Sequence, residues 1–413
     1  MISPLLGREI RLGEPEKQVG PPWATAKKGE ARLFKKRFGL AALLLSAVLT
    51  GEAVSGEGVV RIVDVVELSG GGATVGTNWR NGVELAAKEI NAAGGILGRK
   101  IVLRHFDTQS NPGVSKAVLM KALDTDPYVV LGPIYSSSTK VNMIVTQRAK
   151  VPQIVGSEAA EITERGNPYI FRTSFGQATS MPKLANYLRD GVKAKSVALI
   201  WVNNAFGKGG HDAIVKELKK RGIRLAADIS SEVQQVDFAA DVIRIKNSGA
   251  DALFAYLHEE ESARLLVELR KQGYAKPVVG ESTLLSAKVI KLAGKAANGA
   301  TGHVGLSPDA PVPGIRRMAK AFEAAFGYKT DHNGIKGYIA MYVVKAVTEK
   351  IGKFDRQAFA KTLRGLTITP ETEPGVLLET TYDDKGNLDR DSFLVEIVDG
   401  KQKITRVLPK LSK

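Results

Sequence analysis

Four consecutive hydroxyls, Ser136-Ser137-Ser138-Thr139, follow a Gly132-Pro133 break and open a run that reads as helix to about residue 149. The chemistry such a stretch offers is anion binding. A helix start leaves its first N–H groups unpaired and carries partial positive charge, and hydroxyls beside it add donors and acceptors. A lone Ser there would serve as an N-cap, but one cap needs one hydroxyl, so four in a row favour ligand contact. Acyl-transfer catalysis fits less well, because there is no Gly-x-Ser-x-Gly elbow and no His or acid placed beside it as a base. His105, His211, His303 and His332 lack metal-ligand spacing. The chain has no cysteine, hence no thiolate site, cysteine nucleophile or disulfide.

Residues 128–131 lead into that stretch as a short apolar run, the signature of a strand buried in a parallel sheet. A helix start at the carboxyl edge of such a sheet is where open α/β folds hold ligands. The run 59–66 is β-branched and reads as another buried strand. The Gly-rich 69–76 reads as a flexible loop, with glycines at the wrong spacing for a dinucleotide fingerprint. A helix is expected from about residue 78 to the stop at Ala93-Gly94-Gly95, then a strand at 100–106 and a helix at 114–123. A strand at 153–155 ends in the loop 156–160, and a short strand at 169–172 leaves this lobe. From 177 the pattern restarts, with helices at 178–190, 208–221, 238–248 and 259–272. Strands at 196–202, 224–229, 252–257 and 276–280 alternate with them. Helices at 313–326, 336–351 and 355–364 follow, then a hairpin through 383–387 to a strand at 393–398. Alternation of this kind predicts an α/β protein of two doubly wound parallel lobes with a cleft between them.

The N-terminus carries a different signal. Lys35-Lys36-Arg37 precedes about a dozen apolar residues, and Ala53-Val54-Ser55 supplies small residues for cleavage. That is the length of a secretory apolar region and too short for a membrane span. Residues 1–55 are therefore expected to be a signal peptide with an extended N-region, its true start downstream of Met1. With no cysteine to carry a lipid, the exported protein is expected to be free in the periplasm. The 413 residues leave ample length for two cores. Net charge is +16 overall and +12 without the first 55 residues. The lysines are scattered along helices without interleaved aromatics, which reads as solvated surface and not as a nucleic-acid face.

Several stretches together resemble the solute-binding proteins of branched-chain amino acid ABC importers. They are Gly82-Val-Glu-Leu-Ala-Ala-Lys-Glu-Ile-Asn-Ala-Ala-Gly-Gly-Ile-Leu-Gly98, Gly132 with Ser136–Thr139, Tyr169-Ile-Phe-Arg-Thr173, Phe206-Gly-Lys-Gly209, 237–246 and Asp384-Lys-Gly-Asn387. They run in the family's order from about residue 58 to the end. The resemblance implies a type I periplasmic binding protein fold of two Rossmann-like lobes joined by a three-crossing hinge near 176, 303 and 391. Residues 56–176 and 303–390 would form the first lobe, 177–302 and 391–413 the second. It further implies a monomer with no cofactor, a small-molecule ligand in the cleft, and an inner-membrane ABC permease as partner. Carried over by position, Ser136 would hold the ligand carboxylate, with Ile134 and Tyr135 lining the pocket and Ser157 contacting the ligand from the next loop. Ala159 stands where such proteins usually have Thr, Val75 where an aromatic often closes the site, and His258 where a Tyr is common. Glu281 lies one position before the expected ammonium-pairing acid, with Ser282 at that place. These departures leave open an aromatic or aliphatic acid without an ammonium group, or a sensor in place of a transport component. Arg172 is expected to tie down backbone near the hinge.

Overall fold

The computed structural model describes residues 58–411; the signal peptide expected over 1–55 lies outside the described residues. The first lobe opens with β1 (Val59–Val66), α1 (Ala73–Ala92), β2 (Lys100–Asp107), α2 (Pro112–Leu123) and β3 (Val129–Leu131). It continues with α3 (Ser136–Ala149), β4 (Gln153–Val155), α4 (Glu161–Glu164) and β5 (Ile170–Arg172). The strands form a parallel sheet in the order β2-β1-β3-β4-β5. Its central strands carry Val, Ile and Leu on both faces because helices cover both sides.

The second lobe repeats the plan with α5 (Gln177–Asp190), β6 (Ser196–Val202), α6 (Ala205–Lys220), β7 (Arg224–Ser231), α7 (Ala239–Asn247) and β8 (Ala252–Tyr256). It adds α8 (Glu259–Lys271), β9 (Val278–Gly280), α9 (Ala287–Ala293) and β10 (Ala300–Val304). The chain then runs through α10 (Pro313–Phe326), α11 (His332–Ile351) and α12 (Arg356–Leu363). The strands β11 (Thr367–Ile368), β12 (Thr380–Tyr382) and β13 (Leu388–Asp389) make a small antiparallel sheet. Finally β14 (Ser392–Val398) and β15 (Lys401–Leu408) return to the second sheet as antiparallel edge strands, giving the order β15-β14-β10-β9-β8-β6-β7. The two sheets define an α/β fold of two doubly wound lobes, and the chain passes between them after β5, after β10 and before β14.

Local departures from the sequence reading have physical causes. Helix α1 starts at Ala73, inside the stretch read as a flexible loop. A Cβ on Gly76 would sit 1.7 Å from the Glu67 carbonyl, so that glycine lets the helix run against the end of β1. The turn at 383–387 joins β12 to β13 and does not feed β14, which pairs with β10 and β15. Strand β15 escaped the sequence reading because its pattern, Lys-Gln-Lys-Ile-Thr-Arg-Val-Leu, is that of an exposed edge with little apolar signal.

Helix α11 belongs with the first lobe by the closeness of its crossing with α1. A Cβ on Gly82 would meet the Gly334 carbonyl at 1.9 Å, and one on Gly337 would meet the Trp79 carbonyl at 2.3 Å. Fully buried Trp79 donates Nε1–H to Asp64 Oδ1 at 2.9 Å, and Asp64 Oδ2 pairs with His105 Nδ1 at 2.8 Å. These bonds satisfy a carboxylate fully buried in the sheet, where an unpaired one would be costly.

Candidate functional site

Helix α3 begins at Ser136 as the sequence predicts, yet none of its hydroxyls caps it: the N-cap is Tyr135, with no side-chain cap bond. The first amide to close an intrahelical bond is that of Thr139, to Tyr135 O at 3.0 Å. The N–H groups of Ser136, Ser137 and Ser138 lie ahead of it in the first turn. Ser136 Oγ accepts the Ala159 N–H at 3.2 Å, which welds the helix start to the loop after β4.

Five of the eight residues carried over from the resemblance meet at one inter-lobe cavity: Val75, Ile134, Tyr135 and Ser136 from the first lobe and His258 from the second. Its remaining wall comes from Gly156, Glu158, Phe206, Glu259 and Thr283, and from His332, Asn333 and Lys336 on the first turns of α11. The free space is about 30 Å³, room for a water or two. Small-molecule sites run to several hundred Å³, so the side chains across the cavity must part to admit a solute.

Ser157, Ala159 and Glu281 do not line the cavity. Ser157 sits one layer behind, its hydroxyl bonded to Thr139 Oγ1 and to the Pro133 carbonyl at 3.0 Å. Ala159 contributes the amide that Ser136 receives. Arg172 is fully buried and binds the carbonyls of Ser157 at 3.2 Å and Ala159 at 3.1 Å and the Thr163 hydroxyl at 3.0 Å, the backbone role expected of it. Glu281 is buried beside His303 Nδ1 at 3.2 Å.

An aromatic stack crosses the cavity. Tyr135 lies over His258 at 4.8 Å and 20°, His258 over Phe206 at 5.1 Å and 18°, and Phe206 over Tyr256 at 4.3 Å and 20°. Asn204 accepts the Gly207 N–H through Oδ1, so its Nδ2 is the atom that donates to His258 Nε2 at 2.8 Å. His258 Nε2 is therefore an acceptor and the ring is neutral, in keeping with burial, which pushes its pKa below the usual histidine range.

Acidic groups ring the site. Burial raises Glu67 to about 7, although its carboxylate accepts the amides of Ile134 at 3.1 Å and Tyr135 at 3.2 Å and so fixes the loop ahead of α3. Burial likewise lifts Glu259 to about 7 and Glu158 to about 8, the latter paired with Lys336 Nζ at 2.9 Å. His332 is driven well below the usual range by burial and by Lys336. The sequence reading missed Glu158, Phe206, Lys336 and the α11 start. One signal was available, because Asp331 caps α11 through the amides of Asn333 and Gly334 and marks a start four residues before the expected one.

Two parallel lobes with a cavity at facing sheet edges define a two-lobe solute-binding fold. The chain matches the family described as Periplasmic binding protein over residues 59–402 and belongs to it. Members of that family are periplasmic solute-binding proteins, not enzymes. Among relatives, the Leu/Ile/Val/Thr-binding protein of Salmonella typhimurium is 26% identical over 331 residues, covering 80% of this chain and 88% of its own. Among solved structures, a leucine binding protein from Thermotoga maritima superposes with a TM-score of 0.78 at 18% identity, covering 85% of this chain and 99% of that one. An ABC transporter solute binding protein from R. palustris, in complex with benzoate, gives 0.77 at 19% identity, covering 86% and 98%. These likenesses establish the type I periplasmic binding protein fold.

Proposed function

We propose that this protein is the solute-binding component of an ABC importer, taking an amino acid or related small carboxylate between its lobes and presenting it to an inner-membrane permease. The observation that carries the reading is the start of α3 at the inter-lobe cavity, with its first-turn amides ahead of the first intrahelical bond and Ser136 among the lining residues. Ser136, Tyr135, Ile134, Val75 and His258 would contact the solute directly. Ser157, Ala159 and Glu281 would act by positioning the groups that do. The Leu/Ile/Val/Thr specificity of the Salmonella relative supports a branched-chain or hydroxylated amino acid.

The three passages between the lobes would serve as the hinge. In support, Arg390 Nη2 reaches the Thr173 carbonyl at 2.8 Å, and Lys183 Nζ binds Arg390 O at 3.2 Å and Ser392 Oγ at 2.9 Å. Phe175 meets His303 edge-on at 5.0 Å, so the segments cross as one bundle. A solute touching both lobes favours the closed form only through affinity it lacks for the open one. Residues 56–176 and 303–390 would then move against 177–302 and 391–413. Export with removal of residues 1–55, and a monomer in solution, complete the reading. Terminal sequencing and light scattering test these two points.

The flat stack of Tyr135, His258 and Phe206 favours a second reading, an aromatic acid slotted between rings. A thermal-shift panel of leucine, isoleucine, valine and threonine against benzoate and p-hydroxybenzoate separates the two. Stabilisation by the amino acids alone removes the second reading, and by the benzoates alone the first. A panel with no response removes both.

A further inference from the structure

Two carboxyl groups meet where the lobes meet, and one cation serves both. Glu158 follows β4 in the first lobe and Glu281 follows β9 in the second, with 7% and 1% of their surface exposed. Glu158 Oε1 takes Lys336 Nζ at 2.9 Å, and Glu281 Oε1 faces His303 Nδ1 at 3.2 Å. The two carboxyl groups lie near enough to act on each other, and the Oε2 atom of each is buried with no donor among the described residues. Two ionised carboxylates have no donor between them, so in a dry site they would both repel and remain unsatisfied. A single proton between them cures both faults and leaves the trio with Lys336 neutral.

Among the described residues no cation other than Lys336 donates a hydrogen bond to either carboxyl. His303 of β10 is pushed down to about 3 by burial and by nearby Lys183, so it is neutral. His258, ahead of α8, is held below its usual range by burial. The Arg172 guanidinium of β5 keeps its charge and attracts Glu158, but its hydrogen bonds go to two carbonyls and the Thr163 hydroxyl and not to either carboxyl. Lys183 of α5 and Arg390 bind backbone in the crossing bundle. Tyr256 of β8 keeps its proton, its pKa raised by burial, and Ser180 of α5 lies beside Glu281 without completing a hydrogen bond to it.

We propose that Glu158 and Glu281 share one proton across the cleft, so that closing the two lobes takes up a proton and weakens as pH rises. The inference rests on lobe closure as read above, but not on which solute closes it. With the lobes apart, both groups return to water and to the ordinary carboxyl range near 4.5. In the closed form burial holds both above it, Glu158 at about 8. A group whose pKa is raised in one state stabilises that state fully below the lower value, and the gain is lost as pH climbs to the higher one. The closing equilibrium therefore falls by up to about tenfold per pH unit between these limits. The pair titrates as a unit, so the proton belongs to neither residue alone.

The test uses the full chain without added solute. Carbon-13 NMR of the glutamate side-chain carboxyls is recorded from pH 4 to 10 in the parent, E158Q and E281Q, with the radius of gyration measured by X-ray scattering in parallel. The proposal expects a carboxyl titration near pH 8 in the parent that is lost in both variants, and an expansion of the parent between pH 6 and 9. E281Q should stay compact over that range, because its amide donates to Glu158 with no proton to lose. E158Q gives the same readout should E281Q fail to fold. The proposal is overturned if both residues titrate below pH 5.5, or if the variants expand with the parent's pH profile. A protein that responds to no amino acid or benzoate but shows the high titration would keep the shared proton and lose the transport reading.

Discussion

Replacing Ser136 by Ala separates two roles of one hydroxyl. Its oxygen accepts the buried Ala159 amide at 3.2 Å, and among the described residues no acceptor takes its own proton, which is left for a solute at the cavity. Loss of the oxygen strands the Ala159 N–H, a cost of about 1–3 kcal/mol in stability. Loss of the donor removes a hydrogen bond to a charged carboxylate, about 1.5–3 kcal/mol of binding, or roughly 10- to 100-fold in Kd. Calorimetric unfolding reads the first effect and isothermal titration with the best solute of the amino acid and benzoate panel reads the second. Ser137→Ala is the control, because Ser137 is absent from the cavity wall and its side chain makes no hydrogen bond among the described residues. Binding by Ser136→Ala within twofold of the parent, or an equal loss in Ser137→Ala, would refute this role for the hydroxyl.

Three further outcomes follow from contacts described above. Truncating Tyr135 and His258 to Ala singly and together should give a coupling of about 0.5–1.5 kcal/mol in solute binding, measured as a double-mutant cycle; strict additivity would deny that the stack closes the cleft. Gly82→Ala should destabilise by about 1–3 kcal/mol or more in denaturant unfolding, because the new methyl would sit 1.9 Å from the Gly334 carbonyl; an unchanged midpoint would show that α1 and α11 can separate cheaply. His105 is lowered by burial but raised more by its bonds to Asp64 and Glu84, to about 9. Its folded value exceeds the unfolded one, so its contribution is complete below about 6.5 and lost as pH rises to 9. His105→Gln should flatten the fall of thermal stability over that window, and a parallel fall in the variant would reject the pairing.

Much of the architecture was legible because its signals are local. The β-branched run of β1 and the apolar trio of β3 each fix a strand without reference to distant residues. The α3 start followed from the Gly-Pro break and the hydroxyl run, and the same stretch led to Tyr135 and Ser136 at the cavity. What stayed hidden depends on long-range meetings. Glu158 and Lys336 are 178 positions apart, and neither has a neighbour in sequence that announces the pair. Phe206 entered only as part of the Phe206-Gly-Lys-Gly209 stretch, because a ring at a helix start gives no local hint that it will stack on His258. The depth of Glu281 was equally illegible, since an acid in a loop reads as solvated until the second sheet edge is folded against the first.

In the function proposed above, both lobes grip a small carboxylate with its anionic group at the start of α3. A crystal structure of the protein with the solute that most raises its melting temperature tests this most directly. Carboxylate oxygens are expected within hydrogen-bond distance of the Ser136 amide and hydroxyl, with Tyr135 and His258 parted around the remainder of the molecule. A solute bound away from Ser136, or held by one lobe alone, would contradict it.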